Sequence, residues 1–450
     1  MKSYHIWTIG CQMNVADSMR LASELERVGY SAVATPQEAD VLVLNTCVVR
    51  QSAEDRAVGR LTSLKPLRLR RPHMVLAVMG CMVGPQATEE LLERFPYVDL
   101  FLPPSDPAIL LDYLRDSARH HGLETRESGE PSDALDSAAS SLGGLPGAVT
   151  AHVPVIRGCN HVCSYCIVPY RRGRERSRPL EEIVTEVRDL VAAGVREVTL
   201  LGQIVDRYGH DLVPGDGSRS PDLADLLGAV SEVDGLWRIR FLTSYPGYLS
   251  NGILTAVAEL PKVCEHIEVP VQAGDDDVLR AMRRDYTAAE YTSLVQRIRA
   301  MLPDGSIASD VIVGFPGETA RQFQATYDLL TALKLDQVHV AAYSPRAGTL
   351  AARKLLDDVP LEEKMSRQQA VDELQAQIVA EINSKLVGQR LEVLVEDLHK
   401  GKWRGRTRTN KLVFFQHGED WRGRLAEVKI TWAGPWSMQG EIAIDRELAV

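Results

Sequence analysis

Apolar residues along this chain fall into short uninterrupted runs, separated by longer stretches of helical period. The first three runs, YHIWTIGC, VLVLNTC and MVLAVMGC, each read as a parallel strand buried on both faces. Amphipathic stretches follow them at about Asp17–Val28, Gln51–Leu64 and Pro85–Phe95. Residues 1–118 therefore predict an amino-terminal domain of three β-α units. Residues 119–148 change character: SGEPSDALDSAASSLGGLPGA is rich in Ser, Gly, Ala, Pro and Asp and reads as a flexible linker.

Residues 149–377 return to α/β alternation. Candidate strands are Val153–Arg157, Val198–Leu201, Arg238–Leu242, His266–Val271, Ile307–Val313 and Val338–Tyr343, with helical stretches between, one of them opened by Pro179. Six such units predict a partial (β/α)6 barrel, whose site lies at the carboxyl ends of its strands. The strings at those ends (RGCN, LLGQ, LTSYPG, VQAGD, VGFPGE and YSPRAG) carry the polar and glycine residues expected of a functional rim. A helix with Leu374, Ile378 and Ile382 on one face follows, its Glu362 and Glu363 placed to meet the helix dipole. Residues 378–450 then switch to short alternating strands joined by Gly and Asn turns. Five strands in that length predict a small all-β barrel of oligonucleotide-binding type.

Composition narrows the setting. At 450 residues, 45% apolar and 25% charged, the chain is ordinary for a globular protein of several domains. Its apolar runs are far shorter than the roughly 20 residues that span a membrane, and MKSYHIWTIGCQMN has no long apolar signal stretch. Six of seven cysteines are better used as thiolate ligands than in disulfides, which predicts a reducing cytoplasm. A net charge of −10 leaves RNA open as a partner, because local basic surface decides binding.

The cysteines carry the chemistry. Cys159, Cys163 and Cys166 form a Cys-x₃-Cys-x₂-Cys triplet. Structural zinc wants four ligands, whereas a four-iron cubane held by three thiolates keeps one iron open for another ligand. Cys11, Cys47 and Cys81 each end one of the first three strands, where open α/β sheets bind ligands, so they predict a second three-thiolate cluster. Cys264 has no such setting and reads as a core thiol.

Two basic strings predict RNA contacts. The first, RRGRERSR, offers Arg171, Arg172 and Arg174 as forks for phosphate. The second, HKGKWRGRTRTNK, interleaves Lys402, Arg404, Arg406 and Arg408 with Trp403, the pattern of a groove that stacks unpaired bases. An anticodon loop offers such bases.

Several strings together resemble one family. GCQMN (Gly10–Asn14), NTCVVRQSAE (Asn45–Glu54), GCM (Gly80–Met82), CSYCIVPYRRGRERSR (Cys163–Arg178), DVIVGFPGET (Asp310–Thr319) and YSPRAGT (Tyr343–Thr349) resemble motifs of the radical S-adenosylmethionine (radical SAM) methylthiotransferases. The likeness spans essentially the whole chain, in the order methylthiotransferase domain, radical SAM core, TRAM barrel. Within the family the strings look most like the members acting on N6-isopentenyladenosine beside the anticodon of tRNA.

The resemblance implies two [4Fe–4S] clusters on three cysteines each, and SAM as cofactor. It implies a SAM pocket lined by Gly202, Gln203, Ser244, Gln272 and Gly314, with Tyr165 beside the adenine. The implied reaction removes hydrogen from carbon 2 of the purine by a 5′-deoxyadenosyl radical and installs a methylthio group, the second SAM giving the methyl. Implied partners are a tRNA anticodon stem-loop and a one-electron donor of flavodoxin or ferredoxin type; the sulfur donor is not indicated. The chain departs from the family at Ile204, Glu268, Val269 and Ala273. Alternatives sharing the scaffold are the same chemistry on threonylcarbamoyl-adenosine or on a ribosomal-protein aspartate, and a non-catalytic iron–sulfur RNA-binding protein.

Overall fold

The computed structural model describes residues 2–120, 147–213 and 219–443. The linker expected at 119–148 lies outside them except at its ends. No helix among the described residues is long and apolar enough to cross a membrane.

The amino-terminal domain is a parallel five-stranded sheet in the order Ser31–Ala32, Ser3–Thr8, Val41–Thr46, Val75–Gly80, Leu100–Leu102. Val41–Thr46 is buried at every position, as its unbroken apolar run requires of a central strand. The strand Leu100–Leu102 and the helix Ala108–His120 extend the three expected units by a fourth. The first helix, Gln12–Arg27, begins directly after Cys11, earlier than its periodicity suggested. The third shrinks to Glu89–Arg94, because Thr88 takes the N-cap and accepts the Leu91 N–H at 3.3 Å. This strand order places Ser3–Thr8 beside Val41–Thr46 at a topological switch point, where such sheets bind ligands beyond their carboxyl ends.

The core contains two three-stranded parallel sheets. One orders Arg238–Phe241, Glu197–Leu201 and Thr150–Pro154; the other orders His266–Glu268, Ser306–Val313 and Gln337–Ala342. A parallel bridge between Ile239 and Val263 links them into an open six-stranded barrel. The fourth strand is shorter than its apolar run, since Pro270 has no N–H for the ladder, and pairing resumes only at Gln272 and Val311.

The helix Leu361–Ser384 leaves the core without a break and passes through the boundary expected at 377/378. Asn383 near its end donates to the Gly434 carbonyl at 2.9 Å. Beyond it, five strands close a barrel in the order Arg390–His399, Lys402–Thr407, Leu412–Phe415, Met438–Ile442, Leu425–Ala433.

This small barrel docks at the foot of the core. Arg238 and Arg240, on the core's third strand, are 1% and 4% exposed. Arg238 donates to the Arg406 carbonyl at 2.7 Å and to Glu392 Oε1 at 2.7 Å. Arg240 donates to the Arg408 and Thr407 carbonyls, both at 2.7 Å. Ser306 Oγ donates to the Thr409 carbonyl at 3.0 Å, and Lys411 pairs with Asp336 at 3.1 Å. All these core residues sit at or near the beginnings of strands, so the opposite end of the barrel faces the amino-terminal domain.

Candidate active site

Three loops bring Cys11, Cys47 and Cys81 to one end of the first sheet. Asn14, fully buried, donates to Asn45 Oδ1 and to the Thr46 carbonyl, both at 2.9 Å. Asn45 answers with bonds to the Asn14 carbonyl at 2.8 Å and Ser18 Oγ at 2.9 Å. Cys81 N–H donates to the Thr46 carbonyl at 3.0 Å. Gly80 has φ 104°, and a Cβ there would stand 2.4 Å from that same carbonyl, so this crossing demands glycine. Cys11 Sγ–H donates to Asn14 Oδ1 at 3.3 Å.

Burial pushes the Cys47 thiol up to about 11; the Val49 N–H works against this and the Cys81 and Cys11 thiols add to it. Cys81 is raised by burial too, with Arg172 opposing.

The second set lies at the rim of the core. Gly158 has φ 75°, and a Cβ there would fall 2.0 Å from the Arg174 carbonyl, so the turn into Cys159 also requires glycine. Cys159 N–H donates to the Gly173 carbonyl at 3.0 Å, and Cys166 N–H to that of Cys163 at 3.1 Å. Ser164 between them is anchored to the Ala281 carbonyl at 2.7 Å. Arg284 Nη1 donates to Cys163 Sγ at 3.6 Å and its Nε to Tyr286 Oη at 2.9 Å. Burial raises Cys159 to about 11 and Cys166 to about 12, the latter helped by Cys163.

Among the described residues no three His, Cys, Asp or Glu side chains close around a single ion. The donor set nevertheless fits a cubane, which spreads its thiolates over several irons. Each set is three thiols close enough to act on one another, with one arginine nearby: Arg284 is bonded to Cys163 Sγ, and the charge of Arg172 acts on Cys81. Burial raises Cys47, Cys81, Cys159 and Cys166, and a bound metal, by taking the proton's place, would turn such thiols into thiolates.

The residues expected around SAM all follow strands of the core. Gly202 admits no Cβ, which would meet Ile156 Cγ2 at 2.5 Å. Gln203 has a buried Oε1 without a hydrogen-bond partner, as a side chain aimed at a missing ligand would. Gln272 holds φ 70°, a left-handed backbone unusual for its type. Ser244 Oγ donates to Asp206 Oδ1 at 2.8 Å. The Gly314 N–H is occupied by Glu318 Oε2 at 2.5 Å, which removes it as a donor to the cofactor. Tyr165 is half-buried against the main core.

Asp206 was not legible as a site residue. Burial lifts it to about 7 against the Tyr245 N–H and Ser244 hydroxyl bonds that lower it. Glu268 reaches about 7, through burial and then the nearby Asp310. Of the other departures, Ile204 and Ala273 are buried among apolar neighbours and concern packing.

Most of the residues expected to contact RNA are engaged within the fold. Arg172 is 5% exposed at its side chain and pairs with Asp17 at 3.0 Å. Arg171 packs against Gly84, in a groove of about 190 Å³ shared with Met82 and Ile167. Trp403 is 6% exposed in the small barrel's own core, with Nε1 bonded to the His417 carbonyl at 3.2 Å. Arg404 is paired with Asp397, and Arg406 reaches Glu396 at 3.5 Å. Arg408 is locked to Glu265 at 2.6 Å and to the Val263 carbonyl at 2.6 Å. Arg174 is exposed, and Lys402 reaches only Gln439, at 2.9 Å. The exposed rings of the barrel are Trp432 and Trp436, at 51% and 60%. Trp432 is turned outward by a register shift between Ile430 and Trp432, and Trp436 lies in the turn before the strand Met438–Ile442, whereas Trp403 points inward by strand alternation.

Residues 153–330 match the radical SAM superfamily, residues 3–103 match the uncharacterized protein family UPF0004, and residues 384–443 match the TRAM domain. The chain is 48% identical over 445 residues to the tRNA-2-methylthio-N(6)-dimethylallyladenosine synthase of Roseiflexus sp., covering 98% of this chain and 90% of that one. The synthase of Chloroflexus aurantiacus is 46% identical, over 99% of this chain and 92% of its own. This chain belongs to that family.

Among solved structures, the radical SAM methyltransferase TsrM from Kitasatospora setae, with cobalamin and a [4Fe–4S] cluster bound, aligns at TM-score 0.56 and 15% identity. The alignment covers 90% of this chain and 81% of that one. The cobalamin-dependent radical enzyme OxsB aligns at TM-score 0.51 and 11% identity, over 83% and 56%. These two likenesses support the radical SAM fold.

Proposed function

We propose that this chain is a tRNA methylthiotransferase that adds a methylthio group to carbon 2 of N6-isopentenyladenosine next to the anticodon. The observation that carries this is near-full-length identity of 44–48% to synthases of that name. The site chemistry agrees with it. Carbon 2 bears an unactivated C–H bond, beyond reach of acid–base catalysis at neutral pH, so the reaction needs a radical cofactor.

Cys159, Cys163 and Cys166 would hold the SAM-binding [4Fe–4S] cluster and Cys11, Cys47 and Cys81 the second. Such clusters supply, when bound, the electron that cleaves SAM and a free iron on which sulfur is held. The chain's own contribution is placement. Arg284 bonds Cys163 and stacks over Tyr245, with its carbon 4.3 Å from the ring centre. Asn14 and Asn45 lock the three amino-terminal loops at one height. Gln203, Ser244 and Gln272 stand at three successive strand ends and would line the cofactor, with Tyr165 beside its adenine, while Gly202 lets Ile156 and Val205 pack close beneath them. The Gly314 backbone shapes the rim without donating.

For RNA the same reading favours the exposed Arg174, Trp432 and Trp436, together with the half-buried Lys402, whose ammonium has no carboxylate partner among the ion pairs of the described residues. A one-electron donor of flavodoxin or ferredoxin type and a reducing cytoplasm suit a chain whose seven cysteines are all free. The test is nucleoside mass spectrometry of tRNA lacking the methylthio group, treated with reconstituted protein, SAM, sulfide and reductant. Conversion of isopentenyladenosine supports the assignment. Reductive SAM cleavage with no change in that nucleoside, and modification of threonylcarbamoyl-adenosine instead, would move it to the neighbouring activity.

A further inference from the structure

Arg172 is the sixth residue after Cys166, on the core helix Val168–Arg172, yet its side chain ends in the amino-terminal domain. There Nη2 donates to Asp17 Oδ2 at 3.0 Å and Nη1 to Ser105 Oγ at 3.3 Å, and the guanidinium stands near enough to the Cys81 thiol for its charge to act on it. Ser105 also donates to Asp17 Oδ1, closing the network, and holds a left-handed backbone with φ 65° to do so. Arg172 and Asp17 are 5% and 1% exposed.

We propose that Arg172, fixed by Asp17 and Ser105, is a positioning residue for the amino-terminal cluster, set beside Cys81 from across the domain border and keeping that cluster's reduction potential high through its fixed positive charge. The proposal rests on the two-cluster reading above. Burying an ion pair costs desolvation that a hydrophobic pair of the same volume avoids, so stability alone is a weak reason for one here. Hydrogen bonds to ligand sulfurs and local net charge set iron–sulfur potentials, and a cation favours the reduced form. Partners outside the ligand shell orient the ligands as well. Arg284 stands in the same relation to Cys163 within the core. Each set of thiols therefore has its own arginine, and only Arg172 is lent by the other domain.

The test is an EPR-monitored redox titration of the full chain carrying C159A, C163A and C166A, so that one cluster is read. R172M is expected to lower its midpoint potential, R172K to restore most of the shift, and D17N to raise the potential by removing the opposing charge. The same substitutions with all six cysteines present should leave the core cluster's potential unchanged. An R172M midpoint equal to the parent's, with the cluster retained, overturns the proposal. Should R172M fail to hold the cluster, D17N decides, and a D17N midpoint that stays or falls overturns it equally. If the parent carrying the three alanines binds no iron, the two-cluster reading fails and takes this proposal with it.

Discussion

Arg238 of the core donates to the backbone carbonyl of Arg406 in the small barrel at 2.7 Å, from a position only 1% exposed. One chain segment thus becomes part of the other domain's floor. Replacing Arg238 with Ala removes its donors from the Arg406 carbonyl and from Glu392, at about 0.5–1.5 kcal/mol for each hydrogen bond lost. Thermal unfolding followed separately by barrel and core fluorescence should show the TRAM barrel losing stability first. A single unshifted transition would mean the junction contributes nothing.

His266 gives the same junction a pH dependence. It lies 3% exposed between Ser306 Oγ at 2.8 Å and Asn410 Nδ2 at 3.4 Å. Burial, then the cations Arg240, Lys411, Arg406 and His339, pull its pKa from 6.5 down to about 3. The unfolded chain therefore binds the extra proton first, and stability falls as pH drops from about 6.5 toward 3. Denaturant midpoints measured at intervals across that window should decline less steeply in H266Q than in the parent.

Iron content separates the two cysteine sets. Changing Cys159, Cys163 and Cys166 together to Ala should leave about half the iron and abolish 5′-deoxyadenosine formation. The complementary variant at Cys11, Cys47 and Cys81 should keep reductive SAM cleavage and yield no methylthio product. Cleavage surviving in the first variant would falsify the assignment of the radical site.

In RNA binding, Trp432 and Trp403 should differ in kind. W432A is expected to weaken tRNA binding by about 1–3 kcal/mol, the worth of a stacked base, with an unchanged salt slope. K402A should flatten the plot of log affinity against log salt by about 0.7 to 0.9. W403A should unfold the barrel, visible as lost thermal stability without RNA. R408A should likewise act on stability, since its guanidinium is spent on Glu265.

The cysteine sets and the three-domain order were legible because ligand spacing and buried-strand runs are local signals. What the arginines of GRTRTNK do was not legible, since a guanidinium facing Glu265 looks the same in sequence as one facing phosphate. Trp403 went astray for a more specific reason. Lys400 and Gly401 both take left-handed backbones, making the two-residue turn that starts the strand at Lys402. Starting the strand there puts Trp403, Gly405 and Thr407 inward by simple alternation. Asn14 and Asn45 were visible only as polar letters in or beside apolar runs. Their mutual bonding needed two strands placed side by side.

The docking of the small barrel on the strand beginnings has a reach consequence. The cysteines lie at the opposite, carboxyl ends of the strands, so an RNA that reached both the proposed site and the barrel's tryptophans would have to travel along the outside of the core. Such an enzyme gauges how long its substrate is as well as what base it carries. An isolated anticodon loop would satisfy the mouth alone, while only a longer stem-loop would touch the tryptophans as well.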